Sequence, residues 1–124
     1  MTQVEFLKSC VGRAYRDFDP NGYYIGCFEP LYLLWPHLPK GKLPSRESAY
    51  FAKAYFHFLE NFEPVKEPKL LDIVAFCLPG DVFHVGVLLT HSTFLHVQRG
   101  GSFEIRRLGT LIKYSLGFFR LREE

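Results

Sequence analysis

Residues 83–97 read FHVGVLLTHSTFLHV, and this stretch decides the fold. Apolar side chains alternate with other residues from Phe83 to Leu89, and a similar alternation runs from Phe94 to Gln98. Such alternation is typical of strands that bury one face. The two halves therefore predict a pair of neighbouring antiparallel strands that are connected by a turn near His91.

Further elements are predicted on both sides of this hairpin. β-prone runs occupy 70–78, 103–107 and 117–122, and the first of them ends at a Pro-Gly pair. The N-terminal half has helical spacing instead, and its first helix runs from Thr2, in a Thr-x-x-Glu capping box, to about Ala14. Helices followed by antiparallel strands predict an α+β domain.

Two more helices are predicted before the sheet. One begins near Cys27 or Phe28, because Pro30 is tolerated only in a first turn, and it ends at Pro36. The other is capped by Ser45 and has an aromatic face. The members of that face are Phe51, Ala54 or Tyr55, Phe58 and Phe62. Residues 63–68 contain two prolines and are predicted to be a linker.

The composition limits the function classes. A length of 124 residues predicts one domain, 1–124, and thirteen Phe, seven Tyr and one Trp supply ample apolar area for its core. A net charge of +2 does not predict a nucleic-acid partner. No apolar run approaches the roughly 18 residues of a membrane span. The N-terminus lacks the features of a signal peptide, so we expect synthesis in the cytoplasm.

The three cysteines are Cys10, Cys27 and Cys77. An odd number without a signal peptide favours reduced thiols over a disulfide framework. Because no Cys-x-x-Cys pair occurs, a structural zinc site is not predicted. No other cofactor is expected. Cys27 alone lies at a predicted helix N-terminus, where free N–H groups and the helix dipole stabilise a thiolate.

A cysteine nucleophile needs a base and a group that orients the base. His84 and His96 lie twelve residues apart on the two strands of the hairpin. If the connecting loop has an odd number of residues, both side chains point to one face, with Gly86 opposite His96. One cysteine and two histidines are nevertheless more often core or surface residues, so spacing alone leaves both interpretations open.

Several segments resemble the NlpC-type cysteine peptidases, which are compact papain-like enzymes that cut cell-wall peptides. The blocks HVGVLL at 84–89 and FLHV at 94–97 resemble the family's His-Val-Gly and Phe-Ile/Leu-His signature. LDIVAF at 71–76 is similar to the strand that precedes it, and 11–27 is similar to the segment that leads into the nucleophile. The form Phe-Leu-His-Val is especially similar to members from bacteriophage tails.

The resemblance implies a papain-like α+β fold with Cys27 as nucleophile and His84 as general base. It also implies that His96 orients His84 and that Tyr15 positions groups near the thiolate and the oxyanion. The implied reaction is hydrolysis of an amide bond in peptidoglycan stem peptides through a thioester. Phage tail proteins are the implied partners, with delivery of the domain as a virion component.

The sequence departs from the family around the nucleophile. Where members have Asp-Cys-Ser-Gly, this chain has Gly26-Cys27-Phe28-Glu29-Pro30. This difference motivates an alternative, a papain-like module without turnover that serves in tail assembly or wall binding. Two interpretations without a catalytic role are also open: Tyr15 as a core aromatic residue, and Glu29 as a solvated acid at the start of a helix.

Overall fold

The computed structural model describes residues 1–40 and 51–122. These residues form three α-helices and a six-stranded antiparallel sheet, so the α+β prediction is confirmed. The helices are α1 (Gln3–Ser9), α2 (Glu29–Leu34) and α3 (Phe51–Leu59). The strands are β1 (Phe62–Val65), β2 (Ile73–Leu78), β3 (Val82–Leu88), β4 (Thr93–Val97), β5 (Phe103–Arg107) and β6 (Ser115–Leu121). The predicted cap Ser45 lies outside the described residues.

The strand order in the sheet is β1-β6-β2-β3-β4-β5, with every neighbouring pair antiparallel. The hairpin that the sequence predicted, β3–β4, therefore lies inside the sheet, between β2 and the edge strand β5. Within the part of the chain that is described, no helix is long and apolar enough to cross a membrane.

The first helix is shorter than predicted. Thr2 caps it as expected, since its Oγ1 accepts a hydrogen bond from the Glu5 N–H at 3.1 Å. The helix nevertheless ends at Ser9, because the chain then turns towards β5, where the Gly12 N–H donates to the Phe103 carbonyl at 2.9 Å. As a result, Val11 is exposed and does not extend the buried face of the helix.

The prediction that residues 63–68 are a linker is wrong for the first half of that segment. Phe62–Val65 forms β1, which pairs with β6 through Phe62↔Leu121 to Val65↔Phe118. Pro64 has no N–H to donate, so this strand suits the edge of the sheet. Phe62 accordingly belongs to β1 and not to α3, although it packs against Phe58 of that helix.

The sheet has a different apolar cluster on each face. The helices cover the face that carries Val85, Val87 and Leu95, and Cys27 is part of this main core. The opposite face carries a smaller cluster, which includes Phe76 and is covered by the chain between β5 and β6. His84 and His96 alternate with the main-core residues of their strands, so they lie on the face of the smaller cluster.

Candidate active site

The β3–β4 hairpin brings His84 and His96 together. The pair Val87↔Leu95 fixes the register, and the Leu89 N–H donates to the Thr93 carbonyl at 3.0 Å. Three residues then remain in the turn, which is the odd number that puts both histidines on one face. Nε2 of His84 lies 2.7 Å from Nδ1 of His96, within hydrogen-bond distance.

Aromatic rings and a glycine hold this pair in place. The ring of Phe76 stacks on His84 at 6.2 Å between centroids, and Phe94 packs against His96 at 5.0 Å. A Cβ on Gly86 would overlap the Phe94 ring and lie 3.2 Å from the Leu95 carbonyl oxygen. Only glycine therefore lets the two strands and the ring approach closely enough to form the histidine pair.

The Cys27 turn, which we define as the 3₁₀ turn Gly26–Phe28, precedes α2 directly. The helix predicted to begin near Cys27 or Phe28 thus begins at Glu29, after the cysteine, with Pro30 in its first turn as expected. The ladder between β3 and β4 ends at Val87↔Leu95, on the side of His84 and His96. The Cys27 turn packs against both strands.

Local packing explains why Gly26 and Phe28 flank the cysteine. Gly26 has a φ of +44°, and a Cβ at this position would overlap the hydroxyl of Tyr24. No larger residue, including the aspartate of the NlpC-type pattern, fits this backbone without strain. Phe28 stacks on Phe58 at 4.3 Å and on Tyr55 at 5.8 Å, which fixes the Cys27 turn to α3.

Tyr15 lies within electrostatic range of Cys27. Its hydroxyl donates to Asp17 Oδ1 at 2.9 Å. Burial is the largest cause that raises the pKa of Tyr15 to about 12; a hydrogen bond with Tyr24 lowers it, and Asp17 and then the charge of Cys27 raise it. The phenol therefore stays protonated at neutral pH, with its single O–H directed to Asp17.

Tyr32 is a second phenol near the cysteine, and sequence reasoning missed it. It lies on α2 and is buried. Burial raises the pKa of Tyr32 above its usual value, and the charges of Cys27 and Asp19 raise it further. Its position on α2, five residues after Cys27, was the available signal, but an aromatic residue at such a position is more often part of the core.

Glu29 is not the solvated acid that its place at the helix start suggested. It is 2% exposed and bonded to two arginines. Arg13 Nη2 lies 2.8 Å from its Oε2, and Arg16 donates to both of its carboxylate oxygens at 3.1 and 3.4 Å. The two guanidinium groups are partly exposed, so they join the buried carboxylate to solvent close to the Cys27 turn.

Glu104 extends the histidine pair, and the sequence did not single it out. It lies on β5 directly opposite His96. Its Oε1 lies 2.8 Å from His96 Nε2. The signal was present, because 103–107 was predicted as a strand, but the register between β4 and β5 was needed to place Glu104 beside His96.

His96 is neutral at pH 7 in this environment. Burial is the largest cause that lowers its pKa, the hydrogen bond and charge of Glu104 raise it, and Arg106 lowers it. The short contact with Glu104 would be an ion pair only if His96 were protonated. Since the net shift of the His96 pKa is downward, the contact is a hydrogen bond between a neutral imidazole and a carboxylate.

All three central side chains are buried. Cys27 and His96 are 0% exposed and His84 is 1% exposed. A cavity of about 600 Å³ is lined in part by His37, Asn61 and Arg122. Cys27, His84 and His96 do not line it, so this cavity is separate from the candidate site. His37, His57 and His91 are exposed, and the described residues contain no cluster of His, Cys, Asp and Glu that could hold a metal ion.

No protein-family model matches this chain, and no curated protein matches it either. Its chemistry must therefore be derived from the side chains themselves. A thiol lies in a turn that packs against two strands, and those strands carry an imidazole pair that ends on a carboxylate. A cysteine nucleophile needs such a base within hydrogen-bond reach of its sulfur.

Proposed function

We propose that residues 1–124 are a papain-like domain of the NlpC type that hydrolyses amide bonds in peptidoglycan stem peptides. The observation that carries this proposal is the 2.7 Å contact between His84 Nε2 and His96 Nδ1. A base held by a second polar group is what a cysteine nucleophile requires. The α+β order, with the Cys27 turn ahead of the histidine hairpin, agrees with the same assignment.

The proposed reaction has two halves. His84 takes the proton of the Cys27 thiol, and the thiolate attacks the amide carbonyl to form a tetrahedral adduct. His84 then gives the proton to the leaving amine as the C–N bond breaks, which leaves a thioester on Cys27. Water, deprotonated by His84, attacks the thioester, and the acid product and the free thiol are released.

Three other groups support these steps in the proposal. His96 orients His84 through their shared hydrogen bond. Tyr15, whose phenol remains protonated, turns its O–H from Asp17 towards the adduct or the substrate. The backbone N–H of Cys27 is the proposed oxyanion donor, which places the negative oxygen next to the attacking sulfur.

The proposed substrate and setting follow from the NlpC-type resemblance. The substrate is a stem peptide of peptidoglycan, the partners are phage tail proteins, and the domain reaches the wall as part of a virion. No cofactor takes part in the proposed reaction.

A second candidate is a papain-like module that binds the wall or joins a tail without turnover. The burial of Cys27, His84 and His96 favours it, because a substrate carbonyl must reach the sulfur. The Gly26–Pro30 segment also lacks the family's small residues after the cysteine. The two candidates differ in a single measurable property, the release of soluble fragments.

Digestion of purified sacculi separates the two candidates. We expect the protein to release stem-peptide fragments, detectable by mass spectrometry, with Cys27→Ala eliminating release. Cys77→Ala, which removes a half-buried thiol from β2, is the matched control and should retain it. Binding to sacculi without fragments, equal in wild type and Cys27→Ala, would overturn the hydrolase and support the binding module.

A further inference from the structure

The carboxylate of Glu104 lies at the outer end of the histidine pair. It lies 2.8 Å from His96 Nε2, and His96 Nδ1 lies 2.7 Å from His84 Nε2. Three side chains from three consecutive strands, β3, β4 and β5, thus form one line of hydrogen bonds. Glu104 lies on the edge strand with its side chain 51% exposed, whereas both histidines are buried.

The carboxylate of Glu104 determines the direction of each hydrogen bond in this line. A carboxylate only accepts, so the proton between Glu104 and His96 belongs to His96 Nε2. His96 is neutral, because burial lowers its pKa, and a neutral imidazole carries one N–H. Nδ1 of His96 therefore has a lone pair and accepts.

The same logic fixes the state of His84. Because His96 Nδ1 accepts, the proton between the rings belongs to His84 Nε2. When His84 is neutral, its Nδ1 then carries the lone pair. A base must present an unprotonated nitrogen to the thiol, and the hydrogen bond at the other nitrogen decides which one that is.

We infer that Glu104 is a positioning residue that sets the tautomers of His96 and His84 so that His84 Nδ1 is the basic nitrogen. The inference rests on the proposed function for its use, since only a base needs a defined lone pair. The tautomers themselves depend only on the hydrogen bonds. Without an acceptor at position 104, both rings can reverse together, and Nδ1 of His84 would then carry the proton.

The surroundings of His96 favour control by Glu104. The groups beside His96 are the His84 imidazole, the Phe94 ring, Glu104 and, more distantly, Arg106. Glu104 is the only one of these four that is restricted to accepting a hydrogen bond. Arg106 Nη1 lies 4.0 Å from Glu104 Oε1, so it adds a neighbouring positive charge on the same strand face.

Nitrogen NMR of the imidazoles tests the inference directly. We would record two-bond ¹H–¹⁵N spectra of the full chain in a Cys27→Ala background, where the thiol cannot protonate His84. We expect both histidines of the Cys27→Ala protein to be the Nε2–H tautomer. Glu104→Leu should produce a population of Nδ1–H tautomers. Glu104→Gln should produce a smaller one, because its amide can accept or donate. Glu63→Leu, at an exposed glutamate of β1, is the matched control and should change nothing.

The outcomes separate this inference from the proposed function. If Glu104→Leu leaves both tautomers unchanged, the positioning role is overturned, whether or not the protein cleaves sacculi. If the tautomers shift but wild type releases no fragments, Glu104 has the inferred role and the hydrolase is overturned. If wild type is active, we expect Glu104→Leu with Cys27 intact to lower the rate about ten- to hundredfold, a loss of the size found for groups that orient metal-bound histidines. Glu104→Gln should recover part of it.

Discussion

The hydroxyl of Tyr55 donates a hydrogen bond to the backbone carbonyl of His84, with 2.6 Å between the two oxygens. This bond joins α3 to the strand that carries the proposed base. The same tyrosine ring stacks on Phe28, next to Cys27. One buried side chain of α3 therefore contacts both the Cys27 turn and the strand of the proposed base.

Tyr55→Phe tests this link. The change keeps the ring but removes the donor to the buried His84 carbonyl, and an unsatisfied buried acceptor costs about 1–3 kcal/mol. Urea unfolding should show that loss in the free energy of unfolding. Tyr114→Phe, at a half-buried tyrosine near β6, should change it by less than about 0.5 kcal/mol. Equal effects of the two changes would contradict the link.

The sheet was predictable from the sequence because its strands alternate and end at turn residues. The hairpin β3–β4 and the strand β5 were placed to within about a residue for this reason. The edge strand β1 was missed, because Pro64 argues against a strand unless the pairing partner β6 is known. The end of α1 was misplaced, since a contact with the distant strand β5 turns the chain away.

The candidate site was predictable only where local pattern determines geometry. His84 and His96 share a hairpin, so their contact follows from turn length and alternation. Glu104 depends on a register that the sequence leaves open. Glu29 depends on two arginines more than a dozen residues earlier, and local rules place an acid at a helix start in solvent.

Removal of the two arginines should destabilise the fold more than removal of Glu29. Arg13→Leu combined with Arg16→Leu leaves the buried carboxylate without these partners. We expect the free energy of unfolding to fall by about 3 kcal/mol, the low end for breaking a buried ion pair, because the arginine side chains are 41% and 42% exposed. Glu29→Gln leaves them hydrated and should cost about 1 kcal/mol. Adding Glu29→Gln to the double variant should restore stability in thermal or urea unfolding; no recovery would contradict the pairing.

Gly86→Ala should disturb the histidine pair. The new Cβ would overlap the Phe94 ring, and forced repacking of a core costs about 1–3 kcal/mol. NMR should show displaced ring signals of His84 and His96. Gly109→Ala, where a Cβ would meet nothing within 4 Å, is the control and should leave both stability and these signals close to wild type. Unchanged signals in Gly86→Ala would argue against tight packing here.

The stability of the protein should fall in mild acid because of His96. Its pKa is lowered in the folded state below the ordinary 6.5, mainly by burial, so the unfolded chain binds the proton more readily. The stability that the neutral ring supplies is complete above pH 6.5 and is lost as the pH falls towards the folded pKa, by at most about 1.4 kcal/mol per pH unit. In urea unfolding from pH 8 to 5, the free energy of unfolding should fall less steeply for His96→Gln than for wild type. His91→Gln, at an exposed histidine, should follow wild type. Parallel curves for His96→Gln and wild type would contradict this prediction.

Alkylation of Cys27 should depend on pH differently from that of Cys10 and Cys77. An ordinary thiol has a pKa of about 8.5. Below that pH, its alkylation rate rises about tenfold for each unit by which the pH increases. If His84 takes the proton of Cys27, the Cys27 thiolate persists at lower pH. Between pH 5 and 9, the alkylation rate of Cys27 should therefore reach its plateau at a pH well below 8.5. Burial limits the absolute rate, so the shape of the profile is diagnostic, measured by mass spectrometry after limiting iodoacetamide. His84→Ala should restore the ordinary slope at Cys27, and parallel profiles for all three thiols in wild type would exclude an activated nucleophile.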